Sequence, residues 1–421
     1  MMQSTTSNLS QINKSKDKDI LEALNSAEIK RLIPTVVFLL IIFVGGLIGN
    51  SVIIHVYRTW YKTNTSTKNF IVCLGLIDLL TCCFGIPSEI ITLLDQHTFE
   101  NIWLCKLCRA INTLGTNSSG FLLIIIAVDR FRKVCKPFGW QIKTFGAKCL
   151  CGLVVFLGVL LSCPALLIYG KHSYYIPELN ITATECSSAD EIVSLNLPFY
   201  NALLYGILAV TGITTLWVLY CLIGLKIKQQ TIKMNAKQGF KKERVKEVPT
   251  ISYSRTNVSN VTAILNTCTS VGEYCYLENN KEIIKKEIDG YNISRTEKRI
   301  ATSTFTKAFN ISRSDKTKTS QFTRKQAQVR QTSFLTFVVT LAFVLSSIPH
   351  QVLMLVRQIN EQFVDEMSDT SKAVYKFFLR SYFLNSAINP IIYSIFDSNF
   401  RSACRKSFCR CIKERTVQNR C

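Results

Sequence analysis

The chain has 421 residues, 48% of them hydrophobic, and a formal net charge of +22 from 50 Lys and Arg against 28 Asp and Glu. A length of this order could build two or three soluble domains, and so large a positive charge could serve nucleic acid. The arrangement excludes both, because apolar residues fall into long uncharged runs and basic ones into the segments between them.

Residues 1–31 are polar and show no signal-peptide pattern. They read as an outer tail with glycosylation sequons at Asn8 and Asn13, and the first span is expected to start insertion itself. That span, Leu32–Tyr57, holds no Asp, Glu, Lys or Arg. It is long enough to cross a hydrocarbon core about 30 Å thick, which takes roughly 20 residues of helix. Six more spans follow at about Asn69–Leu94, Cys105–Val128, Ala147–Tyr169, Ile192–Leu225, Ser333–Val356 and Ala373–Phe396. The pattern predicts an all-α membrane protein, a seven-transmembrane helix bundle, with spans 1–5 in residues 32–225 and spans 6–7 in 333–396. Asp78 and Glu89 lie inside the second span, where a charge facing lipid costs several kcal/mol, so both are expected to face the bundle interior.

Lys and Arg alternate between connections. Arg58, Lys62 and Lys68 mark the first, Arg130, Arg132, Lys133, Lys136 and Lys143 the third, and the fifth and the tail are basic throughout. The second and fourth have almost none. This positive-inside pattern places the N-terminus outside and the C-terminus in the cytosol. Lys30 and Arg31 oppose the rule and are outvoted. Asn180, in the fourth connection, is then a third sequon open to glycosylation.

Residues 226–332 are rich in Lys, Ser, Thr and Asn and read as a long, largely disordered cytosolic loop. Its two ends are expected to extend the flanking helices. A small folded insert is the competing reading. Residues 397–421 read as a short amphipathic surface helix and a cytosolic tail. Cys404, Cys409 and Cys411 stand there beside basic residues as candidates for palmitoylation, with unmodified thiols the alternative. Most of the seventeen cysteines lie in spans, as small apolar residues. Cys105 and Cys186 both face the oxidising side, where a bridge is expected. Cys108, one helical turn deeper, is the rival partner, and Cys105 is favoured.

The seventh span ends Asn385-Ser386-Ala-Ile-Asn389-Pro390-Ile-Ile-Tyr393, and the third ends Asp129-Arg130-Phe131. The first carries Gly49-Asn50, the second Leu74-Gly75-Leu-Ile-Asp78, the fifth Tyr220 and Ile223, and the sixth Phe343 six residues before Pro349. Cys105 lies twenty-five residues before Arg130. Together these resemble the rhodopsin-like family of G-protein-coupled receptors over all seven spans. The departures are also specific. Phe131 replaces a Tyr, Ser346-Ser347-Ile348-Pro349 lacks the family's Trp, Val154 and Gly212 stand near the places of a Trp and a Pro, and no acid near Val329 can pair with Arg130.

The resemblance implies roles. Asp129, Arg130, Phe131, Tyr220, Phe343, Pro349, Asn389, Pro390 and Tyr393 would form the activation switch and G-protein contact, with Arg130 paired to Asp129 at rest. Asn50, Asp78, Ser119, Asn385, Ser386 and Asn389 would form a polar core suited to an allosteric sodium ion, or a hydrogen-bonded core without one. Amine receptors of the family have an Asp where this chain has Asn112, and opsins a Lys where it has Phe383, so neither ligand class is expected. Glu89, Arg109, Asn112, His350, Gln351, Arg357, Lys376 and Arg380 ring the outer half and suit a peptide, with Pro87 opening the second helix.

The expected function is therefore reception of an extracellular ligand, a neuropeptide by preference, with activation of a heterotrimeric G protein at the plasma membrane. Receptor kinases, arrestin and membrane lipid are the further partners implied. The chain shows no nucleophile triad, phosphate loop or metal cluster, and no enzyme activity or nucleic-acid binding is expected. Two alternatives are a signalling-dead decoy receptor, favoured by the missing Trp, and a transporter or channel, disfavoured by the lack of internal repeats.

Overall fold

A computed structural model describes the backbone of residues 2–60, 65–193, 195–246, 295–360, 363–364 and 366–407. Side chains are placed over 15–60, 65–192, 195–236, 326–357, 359–360, 363–364 and 366–407. The sequons at Asn8 and Asn13 lie outside the placed side chains. Cys409, Cys411 and the segment 247–294 lie outside the described residues.

In chain order the elements are α1 (Met2–Thr59), α2 (Ser66–Leu80), a π-helical turn at Thr81–Gly85, α3 (Ile86–Leu94), α4 (Ile102–Cys135) and α5 (Thr144–Ile168). A hairpin of β1 (Tyr169–Ile176) and β2 (Ile181–Ser188) follows, then α6 (Asp190–Val193) and α7 (Leu197–Lys246). The chain resumes with α8 (Arg295–Ile359), α9 (Asp369–Phe378), a 3₁₀ turn at Ser381–Leu384 and α10 (Asn385–Phe396). A further helical stretch covers 398–407.

Six of these helical stretches are long and apolar enough to cross a membrane: Ser15–Thr59, Ser66–Leu94, Ile102–Cys135, Thr144–Ile168, Leu197–Ala236 and Gln326–Arg357. Their outer faces carry apolar side chains that a soluble protein would bury, among them Ile41 (67% exposed), Ile48 (62%), Phe156 (63%) and Trp217 (69%). The chain is a multi-pass membrane protein. The seventh expected span, Ala373–Phe396, is broken by the 3₁₀ turn into two shorter helices. Side chains stabilise this break: Arg380 Nη1 donates to the freed carbonyl of Lys376 at 2.8 Å, and Ser381 Oγ donates to Ser346 O of α8 at 2.7 Å.

Three features differ from the sequence reading. The polar N-terminal segment continues α1 as helix, and from residue 15 it packs rather than trails. Leu21 is buried beside Ile181 and Ala183, and Asn25 Oδ1 accepts the amides of Gln96 and His97 at 3.1 and 3.0 Å. Leu21, Asn25, Glu28 and Leu32 recur at helical spacing, so one stripe turns inward although average hydropathy is low.

The fourth connection is a hairpin in the register Tyr169↔Ser188 to Ile176↔Ile181. Asn180 closes its turn with φ 56°, in the left-handed region that Asn tolerates. The long connection is also helical further than expected, to Lys246 on one side and from Arg295 on the other. Lys, Gln, Ala, Met and Glu, strong helix formers, dominate the first of these ends, whereas Thr is the commonest residue of the second. The chain divides into two compact units, Met1–Lys226 with Thr332–Cys421, and Ile227–Gln331.

Besides the small cluster at Leu21, the described residues of the first unit pack around two larger apolar clusters. One joins Ile53, Phe70, Leu74, Leu122, Ile126, Leu335, Val339 and Tyr393. The other joins Leu32, Leu39, Ile42, Cys82, Ile86, Leu93 and Phe383. Helix α1 meets α10 at Gly49, where a Cβ would run into the ring of Pro390. Only glycine permits that approach.

Candidate functional site

The polar residues singled out in the sequence gather at three levels of the first unit. At one end, the last turns of α4 carry Asp129 and Arg130, 1% and 2% exposed. Arg130 Nη2 pairs with Asp129 Oδ2 at 2.6 Å, and Lys133 Nζ reaches the same oxygen at 2.7 Å. Ser66 Oγ donates to Asp129 Oδ1 at 3.0 Å. Arg130 also donates to the Thr67 hydroxyl and, at 3.0 Å, to Thr332 Oγ1. The sequence offers no acid near Val329, and the hydroxyl of Thr332 stands where such a partner is missing. Phe131 follows, half-buried. Tyr220 hydroxyl lies 3.1 Å from Thr340 Oγ1. Tyr393 is buried with its ring 6.2 Å from that of Tyr57 and 6.1 Å from that of Phe400. Tyr57 in turn donates to Asp397 Oδ2 at 3.2 Å, which ties the start of the stretch 398–407 to α1. Cys404 sits on that stretch, half-buried.

Midway along the helices, Asp78 is 1% exposed and accepts from Asn389 Nδ2 at 2.7 Å. Asn50 Nδ2 donates to the carbonyls of Gly46 and Ser386 at 3.0 and 2.6 Å. Ser119, Asn385 and Ser386 line a small polar cavity with Thr81, Phe343 and Ser347. Four oxygens around this level, Oδ1 of Asn50, Asp78, Asn385 and Asn389, have no hydrogen-bond partner among the described residues. A buried carboxylate with amide oxygens turned inward is a donor set that fits a hard monovalent cation. Phe343 packs over Gly120, and Pro349 lies six residues beyond it in α8.

At the other end, Glu89 is 2% exposed and forms the centre of a charged cluster. Arg380 Nη2 lies 2.9 Å from Glu89 Oε1, and Arg109 Nη1 3.6 Å from Oε2. Asn112 Nδ2 donates to Oε2 at 3.2 Å, and the Cys108 thiol approaches it at 3.7 Å. The π turn holds Gly85 against Asn112. It precedes Pro87, whose missing amide disturbs the helical ladder. His350 Nδ1 contacts Leu379 O at 2.7 Å, and its ring lies tilted against that of Tyr382 with centroids 4.6 Å apart.

The other predicted pocket residues stand apart. Lys376 pairs with Glu28 at 3.3 Å and bonds Gln96. Arg357 pairs with Glu185 at 3.8 Å, and Gln351 is half-buried beside His350. The bridge Cys105–Cys186, with Cα atoms 5.5 Å apart, fastens β2 to α4, and Cys108 is free. The sequence reading missed Lys133, Ser66, Thr67 and Thr332 at one end and Tyr382 at the other. A Lys four residues after Asp129, on the same helix face, is the one signal that could have found its member of this group.

Around the hairpin, burial holds His97 below the ordinary imidazole range, helped by Lys376 and opposed by Glu28, Glu185 and Asp95. Burial and the charges of Glu185 and Glu28 push the Tyr174 phenol up, and its oxygen lies 2.5 Å from His97 Nδ1. Asn180 is exposed at the hairpin turn, its Oδ1 accepting from the Tyr175 hydroxyl at 2.6 Å.

The family model described as "7 transmembrane receptor (rhodopsin family)" matches residues 49–393. Neuropeptide Y receptor type 6 of Mus musculus is 31% identical over 131 residues, 31% of this chain and 35% of that protein. Bombesin receptor subtype-3 of Ovis aries is 23% identical over 220 residues, 50% of this chain and 53% of that protein. Type-1 angiotensin II receptor of Homo sapiens is 28% identical over 190 residues, 42% of this chain and 51% of that protein. The chain thus spans from about a third to about half the length of the curated relatives it matches.

Proposed function

The chain belongs to the rhodopsin-like family of seven-transmembrane receptors, and from that premise we propose that it binds an extracellular peptide and activates a heterotrimeric G protein at the plasma membrane. In this reading α9, the 3₁₀ turn and α10 together make the seventh crossing, and 398–407 lies on the inner membrane surface. The N-terminus and the hairpin face outward, and Arg130 faces the cytosol. The relatives' names, receptors for neuropeptide Y, bombesin and angiotensin II, support a peptide ligand.

Arg130 carries the proposal. Its guanidinium is almost fully buried, yet it is held by a carboxylate that Lys133 shares and by hydroxyls of Thr67 on α2 and Thr332 on α8. The Thr332 bond breaks if α8 moves, which frees one arm of the Arg130 guanidinium towards a partner at the inner face. A ligand drives the change by its difference in affinity for the two arrangements. Moving a bundle from about 1:99 to 99:1 takes roughly 10⁴-fold. The middle level supports a sodium ion held by Asp78 with the amide oxygens of Asn50, Asn385 and Asn389 and the hydroxyls of Ser119 and Ser386. Such an ion would add a favourable charge to the resting arrangement. Cys404 and Asn180 would be sites of acylation and glycosylation respectively, and phosphorylation by receptor kinases with arrestin binding would fall on the cytosolic segments.

Ser347, where the family has Trp, favours a second reading, a decoy that binds ligand without signalling. The test is surface expression of the full chain with nucleotide-exchange assays for each G-protein class against a peptide library. Exchange that disappears in Arg130→Gln supports the first reading. Binding without exchange in any class supports the decoy. A tail epitope reached by antibody on intact cells overturns both.

A further inference from the structure

The charges at the outer end do not balance evenly. Lys376 has Glu28, Arg357 has Glu185, and Arg31 has Asp369 at 2.9 Å, one cation to one carboxylate in each pair. The Glu89 cluster differs, because a single carboxylate serves two guanidiniums, Arg109 and Arg380. It is also the most deeply buried, with Glu89 2% exposed and the Arg380 side chain 9% exposed. Among the described residues, one positive charge is left over where an uncompensated charge is most costly.

The two arginines do not share Glu89 equally. Arg380 holds it at 2.9 Å and spends a second nitrogen on Lys376 O at 2.8 Å. Arg109 makes only long contacts, 3.6 Å to Glu89 and 3.5 Å to Cys186 O, and its face lies 5.6 Å from the Tyr169 ring. Its Nε has no hydrogen-bond partner among the described residues, and neither has Nε of Arg380. The Arg109 side chain remains 28% exposed, beside the disulfide that holds β2 over the helices.

We propose that Arg109, backed by Arg380, is an anion site that takes a carboxylate of the ligand. This rests on the ligand reading above and narrows it to a ligand that presents a free acid. A guanidinium fork and a carboxylate make two parallel charge-assisted hydrogen bonds. Here the pair would replace two loose contacts and supply the missing negative charge. Glu89 keeps Arg380 in place and leaves Arg109 as the nearer and freer partner. The carboxylate can come from a peptide's C-terminus or from an acidic side chain.

The test uses the full chain in detergent at low salt and reads its thermal midpoint against four small probes. N-acetylglycine stands for a C-terminal carboxylate and N-acetylaspartyl amide with blocked ends for a side-chain one. N-acetylglycinamide and N-acetylasparaginyl amide are their neutral matches. One or both acids should raise the midpoint saturably in the native chain, and their neutral matches should not. The acid that does so names the source. Arg109→Gln should abolish the shift. Arg109→Lys, which keeps the charge and loses the fork, should weaken it about tenfold, some 1.4 kcal/mol. Equal shifts with acid and amide, no shift with either acid, or an undiminished shift in Arg109→Gln would overturn the proposal. If Arg109→Gln does not fold, the acid–amide contrast in the native chain and the lysine variant still decide. Since the readout involves no G protein, a chain that fails to signal can still pass or fail here.

Discussion

Asn389 Nδ2 and Asp78 Oδ2 meet at 2.7 Å, joining positions 311 residues apart at the middle level of the helices. The other oxygen of each side chain has no protein partner among the described residues. That leaves a charge whose second half must be met from elsewhere. If sodium meets it, raising sodium at constant ionic strength should lower agonist affinity in the native chain, and Asp78→Asn should lose that response. An affinity equally sensitive to sodium in both proteins would refute the ion's place at Asp78.

Lys133 competes with Arg130 for one oxygen of Asp129. Lys133→Met should leave Oδ2 of Asp129 to Arg130 alone and lower ligand-independent nucleotide exchange. Asp129→Ala should release Arg130 and raise it, by several-fold in each direction. Arg130→Gln should abolish exchange while leaving ligand binding in place. Basal exchange measured in membranes at matched surface expression checks the order of the three.

Gly49 has no room for a methyl group against Pro390. Gly49→Ala should therefore cost about 1–3 kcal/mol by overpacking. Gly206, with open space around it, should accept Ala freely. Thermal midpoints of the two variants in the same detergent test the contrast.

The disulfide closes a loop between positions 81 residues apart. Removing it with the double change Cys105→Ser and Cys186→Ser should cost about 2–5 kcal/mol. Surface expression should fall, and Arg109 should lose the Cys186 carbonyl beside it. Cys108→Ser should leave expression unchanged, since that thiol is outside the bridge.

His97 sets a pH dependence at the hairpin. Its folded value lies below the ordinary imidazole range, so the docked form resists a proton that the undocked form accepts. Docking stability is then complete above about pH 6.5, the ordinary value, and is lost as pH falls from there towards the lowered folded value. Amide exchange over 169–188 should speed up on acidification, and His97→Gln should flatten that response.

The crossings were legible because a bilayer imposes length and polarity on a contiguous run, and Leu32–Tyr57 carries both in its composition alone. The hairpin left a weaker trace. Tyr174, Tyr175, Ile176, Ile181 and Thr182 favour strand, but Lys171, His172 and Glu185 mask the alternation. The inward stripe of Leu21 and Asn25 was hidden because its partners lie in the second and fourth connections. In the charged cluster, Glu89 was expected to face inward, and Arg109 and Arg380 were both candidates. Their convergence on one carboxylate was not readable, since it depends on helices brought together from positions 291 residues apart.

The π turn at Thr81–Gly85 separates Asp78 from Glu89 on what would otherwise be one uninterrupted rod. A wide turn of this kind resets the angular phase of everything beyond it. Its i→i+5 bonding lodges one residue more than an α-turn would, so the helix beyond it presents Glu89 to Arg109 and Arg380 in a phase that a regular helix through the same residues would not give. Asp78, before the turn, keeps its grip on Asn389 whatever the turn does. The two buried acids are thus geared separately, and a change in that turn re-aims one without touching the other.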